Sequence, residues 1–135
     1  MRVQRFPCDA QGVRLRCLIV DDNERFLEAA RSSLSRNGVE VVGTAMTSAE
    51  ALRQAEELRP DVILVDISLG RESGFDLARD LVAGFPEDSP RVVLISTRAE
   101  DDFADLIASS PALGFISKSQ LSPQALRELA SGSDP

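Results

Sequence analysis

The sequence predicts an α/β domain built on a parallel sheet covered on both faces. Strand-like and helix-like patterns alternate regularly from about Leu15 to Ala130, which marks repeated βα units. Three strand candidates, Leu18-Ile19-Val20, Val62-Ile63-Leu64-Val65 and Val92-Val93-Leu94-Ile95, are continuous apolar runs, as central parallel strands buried on both sides should be. Five strands and five helices in strict alternation give a doubly wound arrangement. A chain of 135 residues is the size of one domain and can bury a core of its own.

Each element has a local reason. The first strand ends at Val20, and the first helix is expected over about 23–37, with Phe26, Leu27, Ala30 and Leu34 on one face and Gly38 as its stop. Strand two, about 39–45, is less uniformly apolar and suits an outer position. Helix two, about 48–58, takes Ser48 as its cap, turns Ala51, Leu52, Ala55 and Leu58 inward, and cannot continue through Pro60. Helix three, about 74–85, carries the stripe Phe75, Ala78, Leu81, Val82 and Phe85, and Pro86 and Pro90 punctuate the loop that follows. Helix four is expected over about 101–109, its start marked by Glu100, Asp101 and Asp102, acids that suit the positive end of a helix dipole. Helix five opens with Ser122 as cap and Pro123 in the first turn, where the missing N–H is harmless, and ends near Ser131-Gly132.

The chemistry lies at the strand ends. Strand one runs into Asp21-Asp22, strand three into Asp66, strand four into Ser96, and a fifth segment, Phe115-Ile116-Ser117, runs into Lys118. In open α/β sheets ligands bind outside the carboxyl ends of the strands, so these groups meet in one crevice. Three carboxylates, a hydroxyl and an ammonium do not gather there for packing, because buried like charges repel and lose hydration unless a cation or proton offsets them. The cluster reads as a metal and phosphoryl site. Taken singly, each residue has a structural reading: Asp21 with Glu24 as a capping box, Asp66 as a solvated turn residue, Ser96 tying up a strand-end amide, Lys118 as a surface lysine. Their joint placement on one edge favours function.

The same five positions, in identity, order and strand context, resemble the receiver domain of two-component response regulators, over essentially the whole of 15–130. The resemblance implies a five-stranded parallel sheet of flavodoxin-like order 2-1-3-4-5 flanked by five helices. It implies that Asp66 accepts a phosphoryl group, that Asp22, Asp66 and the backbone carbonyl of Ser68 bind Mg²⁺ directly, and that Asp21 acts mainly through water. Lys118 would pair with the phosphoryl oxygens, Ser96 would hydrogen-bond the group after transfer, and Phe115 would be the aromatic whose rotamer follows it; a core role for Phe115 remains open at this level. The segment from Asp66 to Gly74 matches the family's loop but has Gly70-Arg71 where many members have Pro-Gly, and Ser119 follows Lys118 where many have proline. The second difference occurs in members related to DNA-binding regulators.

The physical logic stands beside the resemblance. A carboxylate attacks a phosphorylated donor poorly unless charge on the transferring group is offset, which Mg²⁺ and an ammonium supply, and Mg²⁺ favours one or two carboxylates with waters and a phosphate oxygen. The implied donor is a sensor histidine kinase or a small acyl phosphate, and the receiver is not expected to be an enzyme beyond its own phosphorylation and dephosphorylation. A metal-dependent phosphatase is the rival; its haloacid-dehalogenase-like form puts a second acid two residues after the nucleophile, where this chain has Ser68. A docking module that no longer accepts phosphate is the other. No GxxxxGK[ST] or GxGxxG loop follows the first strand, so nucleotide and dinucleotide chemistry have no support.

A net charge of −7 without a basic stripe argues against direct nucleic-acid binding. The absence of histidine excludes a phosphohistidine or histidine ligand from this chain. No apolar run approaches a membrane span, the two cysteines, Cys8 and Cys17, make no disulfide framework, and a cytoplasmic location is expected. Residues 1–14 are expected to be a disordered tail, 15–131 the receiver, and 132–135 a C-terminal tail. The output is expected to be a downstream protein or an effector domain, as in a DNA-binding transcriptional regulator.

Overall fold

The computed structural model describes residues 15–85, 90–97 and 103–132, with side chains to residue 129. The expectations for 1–14 and for the helix start at Glu100, Asp101 and Asp102 lie outside the described residues. The chain runs β1 (Leu15–Val20), α1 (Glu24–Arg36), β2 (Val39–Ala45), α2 (Ser48–Leu58), β3 (Val62–Asp66), β4 (Ser68–Leu69), β5 (Glu72–Ser73), α3 (Gly74–Ala83), β6 (Arg91–Ser96), α4 (Ala104–Ser109), β7 (Gly114–Ser117), a 3₁₀ turn (Lys118–Gln120) and α5 (Pro123–Gly132). The main sheet is parallel in the order β2-β1-β3-β6-β7. With the small β4–β5 hairpin set aside, this is the expected 2-1-3-4-5.

The apolar strands serve two cores because successive side chains point to opposite faces. Cys17, Ile19, Val62, Leu64, Val93 and Ile95 face one way and meet Leu27, Ala30 and Leu34 of α1 and Leu126 of α5. Leu18, Val20, Ile63, Val65, Val92 and Leu94 face the other and meet Ala51 and Ala55 of α2 and Phe75, Leu77, Ala78 and Leu81 of α3. Each fully buried Leu or Ile on these faces contributes about 1.5–3 kcal/mol relative to exposure. α4 is different: none of its residues is buried, and Ile107 is only partly covered.

Several element ends differ from the sequence reading. Thr47, not Ser48, caps α2, its hydroxyl accepting from the Glu50 amide at 3.2 Å. Asp21 and Glu24 form no capping box; Asn23 is the cap of α1, its side-chain oxygen accepting from the amides of Arg25 at 3.0 Å and Phe26 at 3.2 Å. α3 ends at Ala83 rather than near Phe85, and its buried stripe includes Leu77. Ser122 does cap α5, accepting from the Ala125 amide at 3.0 Å. Gly38 follows α1 at φ +92°, a conformation that favours glycine.

The β4–β5 hairpin was not legible in the sequence, and it explains Gly70. Ser68 pairs with Ser73 and Leu69 with Glu72 in antiparallel register, and Gly70 opens the two-residue turn at φ +62°. Proline, fixed near −65°, cannot take that position at this φ. Gly74 then packs against the backbone of Asp66, where an added Cβ would stand 2.1 Å from the Asp66 carbonyl oxygen. Gly74→Ala is therefore expected to destabilise the fold by roughly 1–3 kcal/mol through overpacking, read as a lower urea midpoint at unchanged m-value.

Candidate functional site

The ends of β1 and β3 lie side by side because Val20 pairs with Val65. The ladder continues past both: the Asp21 amide donates to Ala45 O at 3.0 Å, and the Ile67 amide donates to Ile95 O at 3.0 Å. These bonds fix the backbone at Asp21 and just after Asp66, so the two carboxylates stand at the same sheet edge. Asp21 is fully buried, Asp66 nearly so, and Asp22 is exposed. Carboxylate oxygens of Asp21, Asp22 and Asp66 all lie within 4.8 Å of one another.

Lys118 arrives from the far end of the chain, immediately after β7. Its Nζ lies 2.6 Å from Asp21 Oδ2 and 3.2 Å from Asp66 Oδ2. The remaining oxygens are held by the backbone: Asp21 Oδ1 accepts from the Asn23 amide at 2.8 Å, and Asp66 Oδ1 accepts from the Ser68 amide at 3.1 Å. Ser96 is buried at the end of β6, next to Ile95, which pairs with Asp66, and opposite Ser117 of β7. Phe115 pairs with Leu94 and is half-buried against the α2–α3 core, against which Phe103, Ile107 and Ala112 also pack. Asp21, Asp22, Asp66, Ser68 and Lys118 thus come together, Ser96 stands at the neighbouring strand end, and Phe115 sits further back along β7.

The electrostatics are those of a site short of positive charge. Burial pushes the Asp66 carboxyl above its usual range and Asp21 adds to this, while the Ser68 amide and Lys118 oppose it. Burial alone would pull the Lys118 ammonium down, but its contacts with Asp21 and Asp66 more than offset that and leave it raised. Among the described residues one ammonium, in contact with Asp21 and Asp66, accompanies a cluster of three carboxylates. The donor set consists of hard carboxylate oxygens with no thiolate or imidazole, which suits a small hard divalent cation.

Two residues of this neighbourhood are absent from the set read from sequence. Asn23 knits the loop after Asp21-Asp22 into the start of α1, and its position directly before the helical periodicity is the signal that marks it. Phe26, which the helical pattern assigns to packing, has its ring centroid 4.4 Å from Lys118 Nζ.

Known proteins share this architecture. A family model described as "Response regulator receiver domain" matches residues 17–131. The response regulator GacA of Pseudomonas viridiflava is 31% identical over 109 residues, which cover 77% of this chain and 48% of GacA. The chain thus spans about half the length of the curated relatives it matches. The signal receiver domain of the response regulator NarL from Mycobacterium tuberculosis superposes with a TM-score of 0.77 at 30% identity, covering 88% of this chain and 98% of that one. A response regulator from Burkholderia pseudomallei, solved with a phosphorylated aspartic acid, calcium ion and citrate, gives a TM-score of 0.73 at 26% identity, covering 86% of this chain and 66% of that one. With a parallel sheet of the expected order and a family match across nearly the whole described chain, this protein belongs to the receiver domains of response regulators.

Proposed function

We propose that Asp66 is the phosphoryl acceptor of this receiver and that a sensor histidine kinase is its donor. The observation that supports this best is the position of the Asp66 carboxylate, with one oxygen facing Lys118 and the other on the Ser68 amide, beside two further acids. Asp66 stands at the carboxyl end of β3, where ligands of open α/β sheets bind, and the Burkholderia relative carries a phosphorylated aspartic acid and a calcium ion.

In the proposed reaction Asp66 supplies the nucleophilic oxygen, and Lys118 offsets charge on the transferring group. Asp22, Asp66 and the Ser68 carbonyl would hold Mg²⁺ directly and Asp21 through water; when bound, the ion supplies positive charge against the phosphoryl oxygens. The new oxygens on Asp66 then become acceptors for the Ser96 hydroxyl. Movement of Ser96 toward them opens space along β7, into which the half-buried Phe115 ring turns, biasing the face of α4, β7 and α5 between two states. The reader of that face is a downstream protein or an effector domain. The chain does no other chemistry in this reading and works in the cytoplasm; among the described residues no helix is long and apolar enough to cross a membrane.

Incubation with acetyl phosphate and Mg²⁺ is expected to add one phosphoryl group, which peptide mass spectrometry places on Asp66. Asp66→Asn keeps the shape and removes the nucleophile, so the adduct disappears; an unchanged adduct on the variant would move the acceptor elsewhere.

Mg²⁺ is expected to raise the thermal midpoint of the unmodified protein. At about 100 times its dissociation constant, binding to the native state alone adds about 2.7 kcal/mol, and Asp22→Ala should remove most of the shift.

With chelator present, the raised Asp66 carboxyl carries a stability penalty at neutral pH. An unfolded Asp titrates near 3.9, so above the higher folded value the native state is the one that resists ionisation, and the penalty fades as pH falls through that value. Asp66→Asn is therefore expected to melt above the parent at pH 7, and the gap should narrow on acidification. A gap that widens instead would contradict the direction given for Asp66.

A further inference from the structure

The contacts of Lys118 include an aromatic ring as well as two acids. Its ammonium lies 2.6 Å from Asp21, 3.2 Å from Asp66, and 4.4 Å from the centroid of the Phe26 ring. An ammonium has three N–H donors, and two carboxylates leave one side to be filled. The face of an aromatic ring carries negative potential and attracts a cation within about 6 Å of its centroid. Lys118 is largely withdrawn from water, with its side chain 13% exposed, where such an attraction is less screened.

Phe26 is itself held to the site by the chain segment that carries the acids. Asp21 Oδ1 accepts from the Asn23 amide, and Asn23 Oδ1 accepts from the Phe26 amide. The segment 21–26 is thus one hydrogen-bonded turn presenting a carboxylate and a ring to the same ammonium. Packing alone asks less of this position: the ring is only partly buried against the α1–α5 core, and an aliphatic side chain would cover the same apolar surface.

We propose that Phe26 is a positioning residue for Lys118, holding the ammonium over the acceptor carboxylate by a cation–π contact during phosphoryl transfer. The inference rests on the reading of Asp66 as acceptor. A lysine head on a flexible four-carbon stem has to trade carboxylate contacts for phosphoryl oxygens as the group arrives. In transfer from acetyl phosphate, the bond from the Asp66 oxygen to phosphorus forms while the bond from phosphorus to the acetate oxygen breaks. Acetate leaves with that electron pair. The Phe26 ring is the contact of Lys118 that need not change in this exchange, so it keeps the ammonium at the crevice while its acidic partners are redistributed.

The test compares Phe26→Leu, which keeps apolar bulk without the π face, with Phe26→Tyr, which keeps both. Rates of Asp66 phosphorylation by acetyl phosphate at saturating Mg²⁺ are read by mass spectrometry. The Lys118 ε-methylene protons are followed by NMR for the upfield shift that a ring face imposes. Phe26→Leu is expected to lose the upfield shift and to slow phosphorylation by roughly threefold to tenfold, the range that such a contact supports. Phe26→Tyr should keep the shift and stay within about twofold of the parent. A parent phosphorylated on Asp66 together with an unslowed Leu variant would overturn the role of Phe26 alone, as would equal slowing in both variants, the mark of a merely structural residue. A parent with no adduct on Asp66 would overturn the acceptor reading and this inference with it.

Discussion

Placing Asp21 and Asp66 together at a sheet edge, largely out of water, is unfavourable unless positive charge is brought to them, and Lys118 brings it. The requirement reaches through the whole topology. β1 and β3 must be neighbours for the acids to meet, and β7 must lie in the same sheet, parallel to both, for the residue that follows it to deliver an ammonium to their end. Antiparallel placement of any one of them would send its polar end to the opposite edge. The continuous apolar strands and the helices on both faces are what a parallel sheet needs in order to be buried, so the core is the support that charge arrangement demands. Among the described residues the pairing stays incomplete, since one ammonium accompanies a cluster of three acids, which leaves surplus negative charge at one point of the native state.

The fold was legible because its signals are local and repeated. Val62-Ile63-Leu64-Val65 announces a doubly covered strand without help from the rest of the chain, and Pro123 after Ser122 announces a helix start. The acids and Lys118 were legible because strand direction alone puts them together. What escaped depended on geometry too short or too distant for a pattern. β4 and β5 have two residues each, less than one period of alternation repeated, and are recognisable only once Gly70 is seen at positive φ. Thr47 and Ser48 are both good caps, and only the path of the chain out of β2 decides between them. Phe26 carries the periodicity of a core residue, and nothing near it in sequence indicates a lysine from the end of the last strand.

The hairpin also changes how the loops around the crevice relate to one another. Glu72 of β5 accepts from the Ser48 amide at 2.8 Å, so the hairpin that follows β3 is tied to the first residue of α2. The same hairpin begins with Ser68, whose amide holds Asp66, and packs Gly74 against the Asp66 backbone. Asp66 is thereby framed by a small rigid element from its own side of the sheet, while α4, with no buried residue, is attached far more lightly. The site is thus tied by hydrogen bonds toward α2, while toward α4 few buried apolar contacts hold the chain.

Cys17 lies in the middle of β1, fully buried, its sulfur in weak contact with the Leu18 carbonyl oxygen. Burial, with Asp61 adding to it, pushes its thiol far above the ordinary cysteine value, so the reactive thiolate is scarce and the sulfur lies out of reach of solvent. Labelling of this sulfur thus requires β1, or the elements that cover it, to open. Since that strand also delivers Asp21, the chain carries an internal chemical clock: the rate at which Cys17 reacts measures how often the core beneath the acidic crevice opens, with no probe attached to the crevice itself.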